Sequence, residues 1–382
     1  MPKSTLLGSS ARRSGRAAVV VLVTTLLVSL ATVVFLMWHG PFGARVSSSA
    51  LDSFPANVEH DQTGYGVYEV GNLSNPRIGA VAVNLNWSDV EPTQGHFNWT
   101  PADKEINGWA AAGKHFALVL RYASDYAGAP CAKTYQYLPS WEAADIPTLC
   151  STAGNLLPDY FDPRFIRDVT GYVAAAAKHI ASLRHNERLL YVRIGVGVAG
   201  EGYPCINCSS LDLQRLAQWG YSVSAWASWQ ESMLAAFQQS VRPLGAPQLI
   251  YPLGDGDLDA LTKTSVSQEV AYWAASHGMG VGQQGLQNTP GYAQGAAVRI
   301  AQRVHALHPA ALIEFQTNHQ ITKSRVDTAE VEGDISIADS AFASFIEWYG
   351  PDTTVAEYQQ YFARWQRLAG SRHGEHAPTS TA

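Results

Sequence analysis

Two glutamates, Glu201 and Glu314, stand where short apolar runs end: Leu190-Tyr-Val-Arg-Ile-Gly-Val-Gly-Val-Ala-Gly-Glu201 and Ala311-Leu-Ile-Glu314. If these runs are the fourth and seventh strands of a parallel β/α-barrel, the two carboxyls face each other across the mouth where such barrels keep their chemistry. A pair of carboxyls roughly 5 to 5.5 Å apart, one protonated and one ionised, is what cleavage of a glycosidic bond with retained configuration requires. The two residues are far apart in sequence, so only the fold can unite them. The plain alternative for each is a strand-end carboxylate in a surface ion pair.

The surrounding elements fit that demand. Short apolar runs at 65–70, 78–85, 116–122, 190–201, 249–254, 280–285, 311–317 and 344–349 read as eight strands, dense enough for a sheet buried on both faces. Helical periodicity falls between them at 101–112, 162–183, 211–241, 266–276 and 293–306, and again at 355–368. Pro101 and Pro163 sit at first turns, Asp162 is a capping residue, and Gly113 closes the first helix. The alternation predicts an α/β fold, a (β/α)8 barrel. Only 71–77 separates the first two strands, too few residues for a crossover helix. A long segment from Ala123 to Pro163, rich in Pro, Tyr and Cys, reads as a functional loop.

The most specific signature is Trp87-Ser-Asp-Val-Glu91-Pro92-Thr-Gln-Gly95-His-Phe97-Asn-Trp99. It resembles the W-x-x-x-E-P-x-x-G-x-F-x-W segment after the second strand of clan A TIM-barrel glycoside hydrolases, such as bacterial β-galactosidases and related exported barrels. Pro158-Asp-Tyr-Phe-Asp162-Pro163 is similar to the segment before their fourth strand. The resemblance spans about 65–349 and implies Glu201 as general acid/base, with a raised pKa, and Glu314 as the ionised nucleophile. Gly200 stands where the family places Asn before the acid/base, and Gln283 and Gln284 stand where it offers Tyr or His. A barrel that binds carbohydrate without turnover is therefore the alternative function.

Other side chains follow from the same frame. Trp87 offers a flat apolar face to a sugar, or else packs in the core. Trp348, at the end of the eighth strand, is expected to floor the sugar subsite, with Glu347 turned to the opposite face as a structural group. Gln284 is placed to bond a hydroxyl. Arg121 and Arg193 either pair with the catalytic carboxyls or form plain ion pairs. Glu91, held by Pro92, reads as a cap for neighbouring backbone. Asp255, Asp257 and Asp259 crowd the loop after the fifth strand but lack a full calcium-ligand pattern. The chemistry asks for no cofactor and no catalytic metal.

Residues 17–38 form an apolar run long enough to span a bilayer, preceded by Lys3, Arg12, Arg13 and Arg16 with no acid among them. The expected organisation is a basic cytoplasmic tail (1–16), a single anchor (17–38), a linker (39–53), the barrel (54–369) and a frayed tail (370–382). A signal peptide cleaved near Val46–Ala50 is the alternative, which would leave the protein secreted. The chain carries a formal net charge of −6, and removing the four basic residues of the tail leaves the exported part more acidic still. That argues against a nucleic-acid partner, for which a basic stripe is expected. Carbohydrate and membrane are the partners left. Cys131, Cys150, Cys205 and Cys208 all fall in the exported part and suit disulfides; a four-thiolate zinc site is the alternative, because Cys205-Ile-Asn-Cys208 has C-x-x-C spacing.

Overall fold

The computed structural model describes residues 65–68, 78–123, 131, 137–206, 208–241, 248–254, 266–323 and 326–374. Eight strands run parallel: β1 (Tyr65–Tyr68), β2 (Ala80–Asn86), β3 (His115–Arg121), β4 (Leu189–Ile194), β5 (Gln248–Leu253), β6 (Gly280–Leu286), β7 (Ile313–Thr317) and β8 (Phe345–Tyr349). Each pairs with its sequence neighbours and β1 pairs with β8, which closes the barrel. Closure leaves no free sheet edge.

A helix follows each strand from β2 onward: α1 (Thr100–Ala111), α2 (Pro163–Ala181), α3 (Val223–Val241), α4 (Val266–Ser276), α5 (Ala296–Leu307), α6 (Thr328–Ser340) and α7 (Gln359–Gly374). Local chemistry explains the sharpest boundary. Pro163 opens α2 where its missing N–H costs nothing, the Asp162 side chain accepts from Arg164 N, and Lys178 and His179 lie in the last turn, facing the negative end of the helix dipole.

Several expectations shift. Helix α6 escaped the sequence reading because its buried face includes Asp334 beside Val331, Ile335 and Ala338, which blurs the apolar stripe. The helical stretch expected at 211–241 is two helices, Ser210–Gln218 and α3, and the last helix runs on to Gly374. The long segment after β3 contains the helix Ser140–Asp145 and a hairpin of Thr148–Cys150 with Leu156–Pro158. The anchor and linker, 17–53, and the acidic loop with Asp255, Asp257 and Asp259 lie outside the described residues. Among the described residues no helix is long and apolar enough to cross a membrane.

Candidate active site

Side chains alternate across each strand, and the packing shows which set points in. Ala80, Ala117, Tyr191, Ile250, Leu312 and Phe345 form one inner cluster, and Ala82 and Val119 another. The intervening residues, such as Val81, Leu118, Val192, Ile313 and Ile346, pack outward against the helices. Continuing the alternation toward the C-terminal mouth puts Arg193, Glu314 and Glu347 above the apolar floor. Arg121, Gln284 and Gln316 come next, at the mouth itself.

The middle layer is charged and sealed. Arg193 Nη1 donates both to Glu314 Oε1 (3.1 Å) and to Glu347 Oε2 (3.2 Å), and its Nη2 donates to Gln316 Oε1 (3.2 Å). Tyr191 OH donates to Glu347 Oε1, and Gln284 Nε2 to Glu314 Oε2 at 3.3 Å. Neither carboxylate exposes any side-chain surface. Space for these long side chains comes from small residues: a Cβ on Gly282 would collide with Glu314 Oε2.

Burial raises the Glu314 pKa and the nearby Glu347 raises it further, while Arg193 pulls it down; the net direction is up. The direction is the reverse of what was expected for an ionised nucleophile.

Glu201 lies beyond the strand rather than at its end. β4 stops at Ile194, and the chain then turns through a short 3-10 segment, Val198–Gly200, before Glu201, which is half-buried. Gly200 has φ +80°, a left-handed conformation that favours glycine, and a Cβ there would lie 2.9 Å from Arg121 Cγ. This loop therefore rests on the end of β3. Its backbone is gripped from outside: Trp229 Nε1 donates to Val196 O (3.0 Å), Trp226 Nε1 to Gly202 O (3.0 Å), and Tyr160 OH to Pro204 O (3.2 Å).

A satellite apolar cluster supports the same loop. Val198 and Cys205 pack with Leu149 and Leu157 of the hairpin and with Leu216. Buried Asp212 ties hairpin to helix: it accepts from Ser209 N at the helix start and from Thr152 N in the hairpin turn.

The remaining candidates divide. Gln284 is half-buried at the mouth and bonds Glu314. Arg121 is buried at the end of β3, donating to Tyr137 OH (2.8 Å) with its guanidinium 5.2 Å from that ring's centroid. Arg193 bonds the candidate nucleophile, its two terminal nitrogens shared among Glu314, Glu347 and Gln316.

Two expectations fail for tryptophan. Trp348 is fully buried and points outward, its ring centroid 5.1 Å from that of Phe362 on α7, and so cannot floor a subsite. The inward residue is Glu347. Trp87 is also fully buried, stacked 5.6 Å from Tyr172 and edge-on to Trp141, so it too is core. Its Nε1 donates to Glu91 Oε2 (2.6 Å), whose other oxygen accepts from Gly95 N (2.7 Å). Glu91 therefore caps the turn, and the most specific motif in the sequence is a structural brace. Sequence reasoning missed Glu347 and Gln316 as inward groups and Trp226 and Trp229 as grips.

The cysteines separate into two pairs. Cys131 is bonded to Cys150, and Cys205 is paired with Cys208. Among the described residues no cluster of three or more His, Cys, Asp or Glu could hold a metal, so the four-thiolate zinc alternative is not supported.

No protein-family model matches the chain, and no curated protein matches it in sequence. Solved structures do match. The catalytic domain of a beta-amylase from Paenibacillus polymyxa superposes with a TM-score of 0.54 at 10% identity, covering 79% of this chain and 99% of that one. The fold is a (β/α)8 barrel. Xylanase 10B from Thermotoga maritima (TM-score 0.47, 11% identity, 82% and 97% covered) and the exo-beta-1,4-mannosidase Op5Man5 from Opitutaceae bacterium strain TAV5 (0.48, 13%, 79% and 55%) are more distant.

Proposed function

We propose that this barrel cleaves β-linked oligo- or polysaccharides outside the cytoplasm, with Glu201 as general acid/base and Glu314 as nucleophile. The observation that carries the reading is the path of β4: Arg193 grips Glu314, and one residue later the chain leaves the strand into the braced loop that holds Glu201. In this mechanism Glu201 protonates the leaving oxygen while Glu314 attacks the anomeric carbon. Glu201 then takes a proton from the water that releases the sugar. Fold analogy with a beta-amylase catalytic domain supports a glycan substrate, as analogy only. The Cys131–Cys150 bond supports an oxidising compartment, in keeping with export behind an N-terminal anchor or signal.

Glu314 must lose its proton to attack. Because its pKa is raised, the acid-side limb of the kcat/KM profile should lie above the ordinary carboxylate range, and activity should fall again at higher pH as Glu201 loses the proton it must donate. Glu201→Gln should lower hydrolysis of chromogenic β-glycosides on the order of 10²- to 10⁴-fold. Glu314→Gly should abolish it, and a small anion such as azide should restore turnover with inverted product. Full activity in either variant would remove the assignment.

A second reading is a glycan-binding barrel without turnover. It is favoured by the complete enclosure of Glu314 among Arg193, Gln284 and Glu347. Glycan binding with no product after long incubation would select it.

A further inference from the structure

The charged layer inside the barrel has an unequal count. Glu314 and Glu347 bond the same nitrogen of Arg193, so among the described residues one guanidinium serves two carboxyls, none of them touching solvent. Among the described residues the other groups of this layer and its surroundings are neutral: Gln284 from β6, Gln316 from β7 and the Tyr191 phenol from β4, beside Ala82 and Val119 from β2 and β3 and Ile250 from β5; the second inward cation, Arg121 of β3, lies one layer nearer the mouth, where it donates to Tyr137 OH. On β1 the sequence offers only tyrosines, Tyr65 and Tyr68, as titratable groups. Within the bonded layer, among the described residues, two carboxyls meet one guanidinium away from solvent, and a proton is the particle that removes the excess charge.

We propose that Glu314 and Glu347 hold a single proton between them, so that Glu347 controls the charge on Glu314 and acts as a positioning residue for it. Glu347 does not meet substrate in this scheme. It takes one of the bonds donated by Arg193 Nη1 and supplies a neighbouring negative charge that helps keep a proton on the pair. Remove that carboxyl, and Glu314 is left alone with a guanidinium, the setting in which a carboxylate ionises. Burial is the largest cause of the upward Glu314 shift; Arg193 opposes it and Glu347 adds to it.

The consequence for turnover rests on the hydrolase reading; the protonation state itself does not. Infrared difference spectra separate the two, because a protonated buried carboxyl has a C=O stretch distinct from that of a carboxylate and no substrate is needed. Glu142 and Asp334 are also buried carboxyls with raised pKa values, but their bands are common to every sample and cancel. At pH 7, wild type minus Glu347→Gln should show the loss of one protonated carboxyl, and wild type minus Glu314→Gln the same loss. Should Glu347→Gln fail to fold, the Glu314→Gln comparison still tests the count. In the folded Glu347→Gln protein, the rise of kcat/KM should move to lower pH by about one unit or more. A protonated-carboxyl band that survives in either variant would overturn the proposal. If Glu314→Gly retains full hydrolysis while the bands behave as described, the catalytic assignment fails and the shared proton stands.

Discussion

Trp87 and Trp348 are enclosed by other aromatic rings on the outer side of the sheet, and their value to the protein is volume. Truncating either to Ala should cost about 3–5 kcal/mol of stability, the range for a large aromatic in a packed core. Thermal melts would measure the loss. Glycan affinity at a temperature where the variants remain folded should not change, whereas a large rise in KM for Trp348→Ala would return the ring to the substrate. The error in reading Trp348 inward has a physical source. A strand buried on both faces carries apolar residues at every position, so its period of two is silent and nothing local reveals which neighbour faces the axis. Only the register with β7 settles it, pairing Glu347 with Gln316 and Phe345 with Glu314.

At the level of elements, α3 does more than cover the sheet. Trp226 and Trp229, one turn apart, reach the carbonyls of Gly202 and Val196 on either side of Glu201. Replacing either with Phe keeps an aromatic ring but deletes the N–H, a loss of about 1 kcal/mol. If that loss reaches Glu201, kcat should fall by about fivefold with KM little changed. Steady-state kinetics would check this, with Tyr172→Phe as a control that deletes a hydrogen bond to Leu85 O beneath β2. Equal losses in control and test would mean general loosening. The eight strands and most helices were legible because apolar runs alternate with capped periodic segments, as at Asp162-Pro163. The braces were not, since a tryptophan that packs and one that grips a distant carbonyl look alike in sequence. The place of Glu201 was not legible: the run up to Gly200 stays apolar after pairing stops at Ile194, because Val196 and Val198 are buried in the loop itself.

For the whole molecule, the hairpin, the Glu201 loop and the helix Ser210–Gln218 form a second small core above the barrel. The Cys131–Cys150 bond closes a segment spanning 19 positions within that assembly. Replacing both cysteines with serine should lower stability by about 3 kcal/mol on the loop-closure estimate. Comparing melting of wild type with and without reductant against the double variant would test it; an unchanged midpoint in both would show that the bond adds nothing to folding. The enclosed Glu314 layer has a final implication for how such a chain can vary. Gly282 leaves no room for even a methyl group beside Glu314, so the two positions are locked sterically across adjacent strands. Drift at one must be answered at the other. Gly282→Ala should be tolerated far better alongside Glu314→Asp than alone, and natural variants that carry a side chain at 282 should have shortened their acid at 314.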